Sequence, residues 1–222
     1  MSDQLVPFDT SRNTSITESL TKTSDFLPQL RVYGARSEIV KEGKFPMGHF
    51  GLYFAQDKIV DMGEVLDTLV IDWRPRASVV MGDQPLSYYG RFDEETKEWT
   101  TSPEFDALKE RAMVQKLEGH LCGLEYLLWF PEVKKYGLFL MGNPTLRRES
   151  SSLQALTGQP ATLKIKLIKT KSYTWHGAKV SKCETISEVP DKEAIMSEIA
   201  NFRMPKDSEV EMAEESESAR AR

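Results

Sequence analysis

Short runs of β-branched and aromatic residues recur along this chain at strand length, and most come in neighbouring pairs joined by short connections. That spacing constrains the fold more than any other feature. Antiparallel partners can be linked by a tight turn, whereas parallel partners need a crossover of about a dozen residues or more. LPQLRVYG (Leu27–Gly34) opens the series, and HFGLYFA (His49–Ala55) follows a loop holding Lys41, Gly43, Lys44 and Pro46. TLVIDW (Thr68–Trp73) is an apolar, β-branched run of strand length, which suits a strand buried on both faces. ASVVMG resumes after a break at Arg74–Pro75–Arg76, and Pro85–Trp99 sets aromatics around an acidic turn at Asp93–Glu95. GLEYLLWF and YGLFLMG bracket Pro131–Lys135, and ATLKIKLIKTK and SYTWHGAKVSKCET form a last, long pair.

Three helices interrupt the strands. Ser102–Pro103–Glu104 supplies a cap oxygen, a first-turn proline and an acid facing the helix dipole, and Phe105, Leu108 and Ala112 continue at helical spacing. This predicts a helix near 102–118. Asn143–Pro144 repeats the cap and predicts a second helix near 144–157, ended by Gly158 and Pro160. Ile195, Ile199 and Phe202 share one side of a third, near 190–203. The expected fold is therefore mainly β (α+β): an antiparallel OB-like β-barrel with helical insertions over 27–203, with a β-sandwich as its rival. The polar, Ser/Thr-rich residues 1–26 and the acidic residues 204–222 carry no hydrophobic period and are expected to be disordered.

At 222 residues and 40% hydrophobic, the chain suits one cored domain with tails, or at most two small domains. No stretch approaches the roughly 18 to 20 apolar residues that span a bilayer, and the polar start lacks a signal-peptide pattern. With Cys122 and Cys183 alone there is no disulfide framework. The expected location is cytoplasmic (host cell cytoplasm if viral), with no membrane partner. Charge is segregated. Ser187–Arg222 carries ten acids against five bases, whereas Pro144–Thr185 carries eight bases against Glu149 and Glu184. A net +6 segment beside an acidic end suggests a partner for the one and a separate task for the other.

Catalytic constellations are missing from the pattern. His49, His120 and His176 lie far apart without metal-ligand spacing, and no phosphate-cradling glycine motif or nucleophile elbow occurs. The expectation is a non-enzyme with no metal and no cofactor. KEGK (Lys41–Lys44) reads either as a phosphate-holding turn or as a plain exposed loop.

The informative stretch is LKIKLIKTKSYTWH, Leu163–His176. Alternate strand residues face opposite ways. Leu163, Ile165 and Leu167 would line the core while Lys164 and Lys166 face out. Lys169, Lys171, Tyr173 and Trp175 have the parity of the core residues, so a bulge or turn near Ile168–Lys169 is needed to gather them on the lysine face. Ammonium groups so gathered would track phosphates, and flat rings would stack unpaired bases. The other reading packs Tyr173 and Trp175 inward. Arg147 and Arg148, in a helix start where cations oppose the dipole, and Trp73, Arg74 and Arg76, at a strand end, join the candidate set.

The runs VKEGKFPMGHFGL (Val40–Leu52), VIDWRPRA (Val70–Ala77), GLEYLLWFP (Gly123–Pro131), LFLMGNPTLRRES (Leu138–Ser150) and KSYTWHGAKV (Lys171–Val180) resemble a family of uncharacterised bacteriophage proteins over roughly Leu27 to Phe202. The plan is also similar to phage and bacterial single-stranded DNA-binding proteins: an OB-type barrel with an acidic C-terminal tail. The hydrophobic tip of such tails is replaced here by Ala219–Arg220–Ala221–Arg222. The basic and aromatic strand pair, together with this similarity of plan, leads to the expectation of a single-stranded DNA-binding protein of phage DNA replication or recombination. Its tail would reach replication or recombination proteins, and a homo-oligomer is left open. The alternative is a virion structural or assembly protein acting through protein contacts.

Overall fold

Eleven strands and four helices account for the ordered elements of the computed structural model, which describes residues 27–54, 58–81, 84–171 and 174–204. Both ends expected to be disordered lie outside these residues, Met204 excepted, as does Tyr173. In chain order the elements are β1 (Gln29–Tyr33), α1 (Glu38–Lys41), β2 (His49–Tyr53), β3 (Ile59–Gly63), β4 (Val65–Met81) and β5 (Gln84–Tyr89). Then come β6 (Arg91–Phe92), β7 (Trp99–Thr100), α2 (Pro103–Met113), β8 (His120–Phe130) and β9 (Lys135–Met141). The chain continues through α3 (Pro144–Gln154), β10 (Pro160–Lys169), β11 (Thr174–Lys182) and α4 (Lys192–Arg203).

Nine strands form one curled, half-barrel sheet in the order β11-β10-β4-β8-β9-β1-β2-β3, with β5 also on β4. Every pairing is antiparallel except β1 with β9. The molecule is thus mainly β with helical insertions, and its sheet has nine strands where an OB-type barrel has five. Strands β6 and β7 form a separate small hairpin, whose turn is closed by the Asp93 carboxylate accepting from Glu95 and Thr96 N–H.

β4 corrects the expected break at Arg74–Pro75–Arg76: it runs unbroken through the proline. On one side it pairs with β8 from Leu69 to Val79; on the other it pairs with β10 up to Leu69 and with β5 only from Arg76. Pro75 falls between those two partners, where no ladder N–H is required of it. A register shift between Val70 and Asp72 sets Ile71 and Asp72 opposite the single residue Leu127. The extra residue keeps Leu69 and Ile71 on the same outer face as Asp72, Arg74 and Arg76; in an unbulged strand the three charged residues would point into the inner core.

That inner core fills the curl of the sheet with Leu30, Phe50, Leu52, Val70, Tyr126, Leu128, Phe130, Phe139 and Leu163, closed by Leu146 and Leu153 of α3. Phe105 and Leu108 of α2 pack on Ala77, Val79 and Cys122, and Phe202 of α4 packs outside on Leu69, Ile71 and Leu127. The capping signals at Ser102 and Asn143 hold, each accepting from the first turn of α2 and α3 respectively, and Asp191 caps α4 in the same way. α2 stops at Met113, short of the expected 118, because Val114 and Leu117 are exposed and give another turn nothing to bury. α1 lies where a loop was expected. No described helix is long and apolar enough to cross a membrane.

β8 and β9 approach so closely that a Cβ on Gly123 would lie 2.2 Å from the Met141 carbonyl oxygen. Backbone cannot yield as a side chain would. Gly123→Ala is expected to cost about 1–3 kcal/mol or more, read as a lower urea midpoint; an unchanged midpoint would mean that the two strands can separate freely.

Candidate functional site

The β10–β11 hairpin pairs without any register shift, from Ala161 opposite Lys182 to Lys169 opposite Thr174. Directly opposed residues of an antiparallel pair share a face. Lys164 opposes Lys179, Lys166 opposes Gly177, and Ile168 opposes Trp175. Three lysines and an indole therefore share the outer face, while Leu163, Ile165, Ala178 and Val180 turn to the core.

This corrects the parity argument twice. No bulge occurs near Ile168–Lys169, so Lys169 lies opposite Thr174 on the other face from Lys164 and Lys166. Trp175, despite its core parity, lies on the lysine face. Its pairing partner Ile168 is even-numbered, because the four positions 170–173 between the paired ends exchange odd for even across the turn. Lys171 follows the end of β10 and is exposed; Tyr173 lies outside the described residues.

Three features hold the face outward. Trp175 Nε1–H donates to Thr145 Oγ1 at 2.8 Å, tying the hairpin to the first turn of α3. Gly177 is buried beneath that threonine: a Cβ there would sit 2.6 Å from Thr145 Cγ2. On the opposite face the His176 ring meets the β1–β2 connection, where a Cβ on Gly48 would lie 3.0 Å from its Nε2 and one on Gly34 3.9 Å from its Nδ1. That contact covers the second face around His176, while Leu167 and Lys169 of the same face, nearer the hairpin end, are exposed. Trp175 is still 36% exposed. Lys164, Lys166 and Lys179 are all exposed and, among the described residues, form no ion pair. Two ammonium groups directly opposed, Lys164 and Lys179, repel each other, an arrangement that an anion relieves.

α3 divides its two arginines. Arg148 is exposed and lies three residues from Thr145, hence on the same helix side and next to the lysine face. Arg147 is half-buried and points its Nη1 at the Cys122 carbonyl, 3.4 Å away on β8.

Arg74 and Arg76 are not beside the lysines. They lie along the same outer face about nine residues up β4, roughly 30 Å away, and they are held in the interior beneath α4. Arg74 pairs with the fully buried Glu125 through Nε at 2.9 Å and Nη2 at 2.8 Å. Arg76 pairs with the other carboxylate oxygen and donates to Ser87 Oγ at 3.0 Å. The Arg74 guanidinium lies 3.8 Å from the Tyr89 ring centroid and 4.4 Å from that of Phe202, and its Nη1 donates to the Phe202 carbonyl at 2.7 Å. Next to it, Arg203 donates to buried Asp72 at 2.7 Å. Burial alone would raise the Glu125 carboxyl, but the Arg76 and Arg74 charges outweigh it and hold the group below the usual carboxylate range. Arg74 and Arg203 clamp α4 to the sheet, and Arg74 and Arg76 lie nearly buried on Glu125, out of reach of a phosphate. Trp73 points to the opposite face, packed on the inner core and 5.7 Å from the Trp99 ring.

Residues missing from the sequence-based set are Lys179, Ile168 and Thr145. Only the hairpin register, or an assumed four-residue turn, would have placed the first two. No group of three or more His, Cys, Asp or Glu among the described residues could hold a metal. No protein-family model matches the chain, and no curated protein or solved structure matches it either.

Proposed function

We propose that this chain is a non-enzymatic single-stranded DNA-binding protein, acting in phage DNA replication or recombination in the host cytoplasm, with the outer face of β10–β11 as its binding surface. One observation carries the reading: Lys164, Lys166 and Lys179 share one face of the hairpin with the exposed ring of Trp175, and none has an acidic partner among the described residues. Ammonium groups would neutralise phosphates and release counterions. The indole would stack an unpaired base, worth roughly 1–3 kcal/mol and available only where bases are not already stacked in a duplex. The contact of His176 with the β1–β2 connection supports a flat platform over a ribbon inserted into a duplex groove, because it covers part of the hairpin's second face. In this reading the curled sheet does the work of an OB-type barrel, and the acidic segment 204–222 engages replication or recombination proteins.

The test is a tryptophan fluorescence titration with a poly-dT oligonucleotide at low and high salt, with Trp175→Phe as the control for the other three indoles. Quenching that weakens steeply with salt and is lost in the control is the expected result. Silence toward poly-dT, duplex and RNA at low salt, with the protein found stoichiometrically in purified particles, would replace this reading by a virion assembly role.

A further inference from the structure

We infer that Thr145 is a positioning residue that makes Trp175 a stacking-only surface, so that the β10–β11 face takes unpaired polymers without regard to base. This rests on the proposed nucleic-acid reading and adds the specificity of the same site. An indole offers two kinds of recognition: its ring face, which stacks on any base, and its N–H, which donates only to particular acceptors on a base edge. Here the second is already engaged, because Nε1–H donates to Thr145 Oγ1 at 2.8 Å. Thr145 is itself fixed from two sides. Its backbone N–H bonds the Asn143 cap at 3.1 Å, and its methyl sits against the bare backbone of Gly177.

The other side chains that β10 and β11 themselves place on the face offer little with which to read a base. Thr162 donates its hydroxyl to Asp67 Oδ1 at 2.5 Å. Ile168, opposite Trp175, is apolar, and Gly177 has no side chain. Lys164, Lys166 and Lys179 are point charges that any phosphate satisfies. Within the paired residues of the two strands the other hydroxyl on the face, Ser181, lies six residues along β11 from Trp175, roughly 20 Å away. Affinity on such a surface comes from charge and ring area, which all four bases share, and not from edge hydrogen bonds, which separate them.

The experiment compares the full-length chain with Thr145→Val and Thr145→Ser against dT, dA and dC homopolymers of equal length at one salt concentration, reading tryptophan quenching and anisotropy. The wild type is expected to bind the three within about threefold of one another. Thr145→Val keeps the methyl over Gly177 but removes the acceptor. It is expected to shift the indole emission and widen the spread between homopolymers to about tenfold, and Thr145→Ser should restore both. A wild-type preference above tenfold, with Trp175 still quenched, overturns the inference while leaving the nucleic-acid reading intact. So does a valine variant whose emission and spread match the wild type. Binding to none of the three removes both. The wild-type comparison decides the matter even if the valine variant fails to fold.

Discussion

Glu125→Ala is expected to destabilise the fold by about 3–5 kcal/mol, the cost of leaving buried charges without their partner. Removal of this one carboxylate strands both guanidiniums: Arg74 and Arg76 are nearly buried and each bonds Glu125 directly. The damage should spread to α4, because Arg74 also holds the Phe202 carbonyl and packs on the Phe202 ring. Urea denaturation checks the magnitude, and hydrogen exchange in Lys192–Arg203 checks the spread. A triple replacement, Arg74→Met, Arg76→Leu and Glu125→Leu, should recover much of the loss, since well-packed apolar groups can stand in for a buried ion network. If the single variant were as stable as the wild type, the cluster would have to be more hydrated than its burial implies.

The same carboxylate makes a pH prediction. Its folded-state ionisation is held below the unfolded value of about 4.3. The ionised form is therefore favoured by folding, and its contribution to stability is complete above that value. It is lost as pH falls from there through the depressed folded value. A wild-type stability profile should decline in that acid window, and the apolar triple variant should decline less.

The second large effect concerns binding. Trp175→Ala should weaken single-strand affinity by about 5- to 150-fold, the equivalent of one stacked base. Lys164→Gln, Lys166→Gln and Lys179→Gln together should make the slope of log affinity against log salt shallower by about 2, from three phosphate contacts at roughly 0.7 each. Lys169→Gln is the informative control. It removes the same charge from the opposite face of the same strand and should leave the slope nearly unchanged. If Lys169→Gln mattered as much as the outer lysines, binding would depend on net charge alone and the face would lose its meaning.

Glu125 was visible in the chain before its role was. A single acid in the apolar run GLEYLLWF has to find a cation or lose its charge. The two arginines of WRPRA are just as visible, yet in the sequence Pro75 beside them suggests an exposed strand end. Their fate turned on where β10 stops and β5 begins along β4, which leaves the proline in the one stretch that needs no N–H. Capping was local and therefore legible: Ser102 and Asn143 act within their own first turns.

By itself the sequence determined the β-rich class, the antiparallel hairpins and the starts of two helices. Each depends on residues a few positions apart, where alternation and capping operate. It also marked Leu163–His176 as the basic and aromatic stretch. Only the tertiary structure decided which of those residues stand together. Side-chain parity is local to a strand, but it is reset by the turn between two strands and by the contacts that fix their register. The register carried Trp175 across to Lys164, Lys166 and Lys179 and left Lys169 behind. α3 then added Thr145, a residue no spacing rule connects to Trp175, because packing on the edge of β11 brings the two hydrogen-bonding groups together.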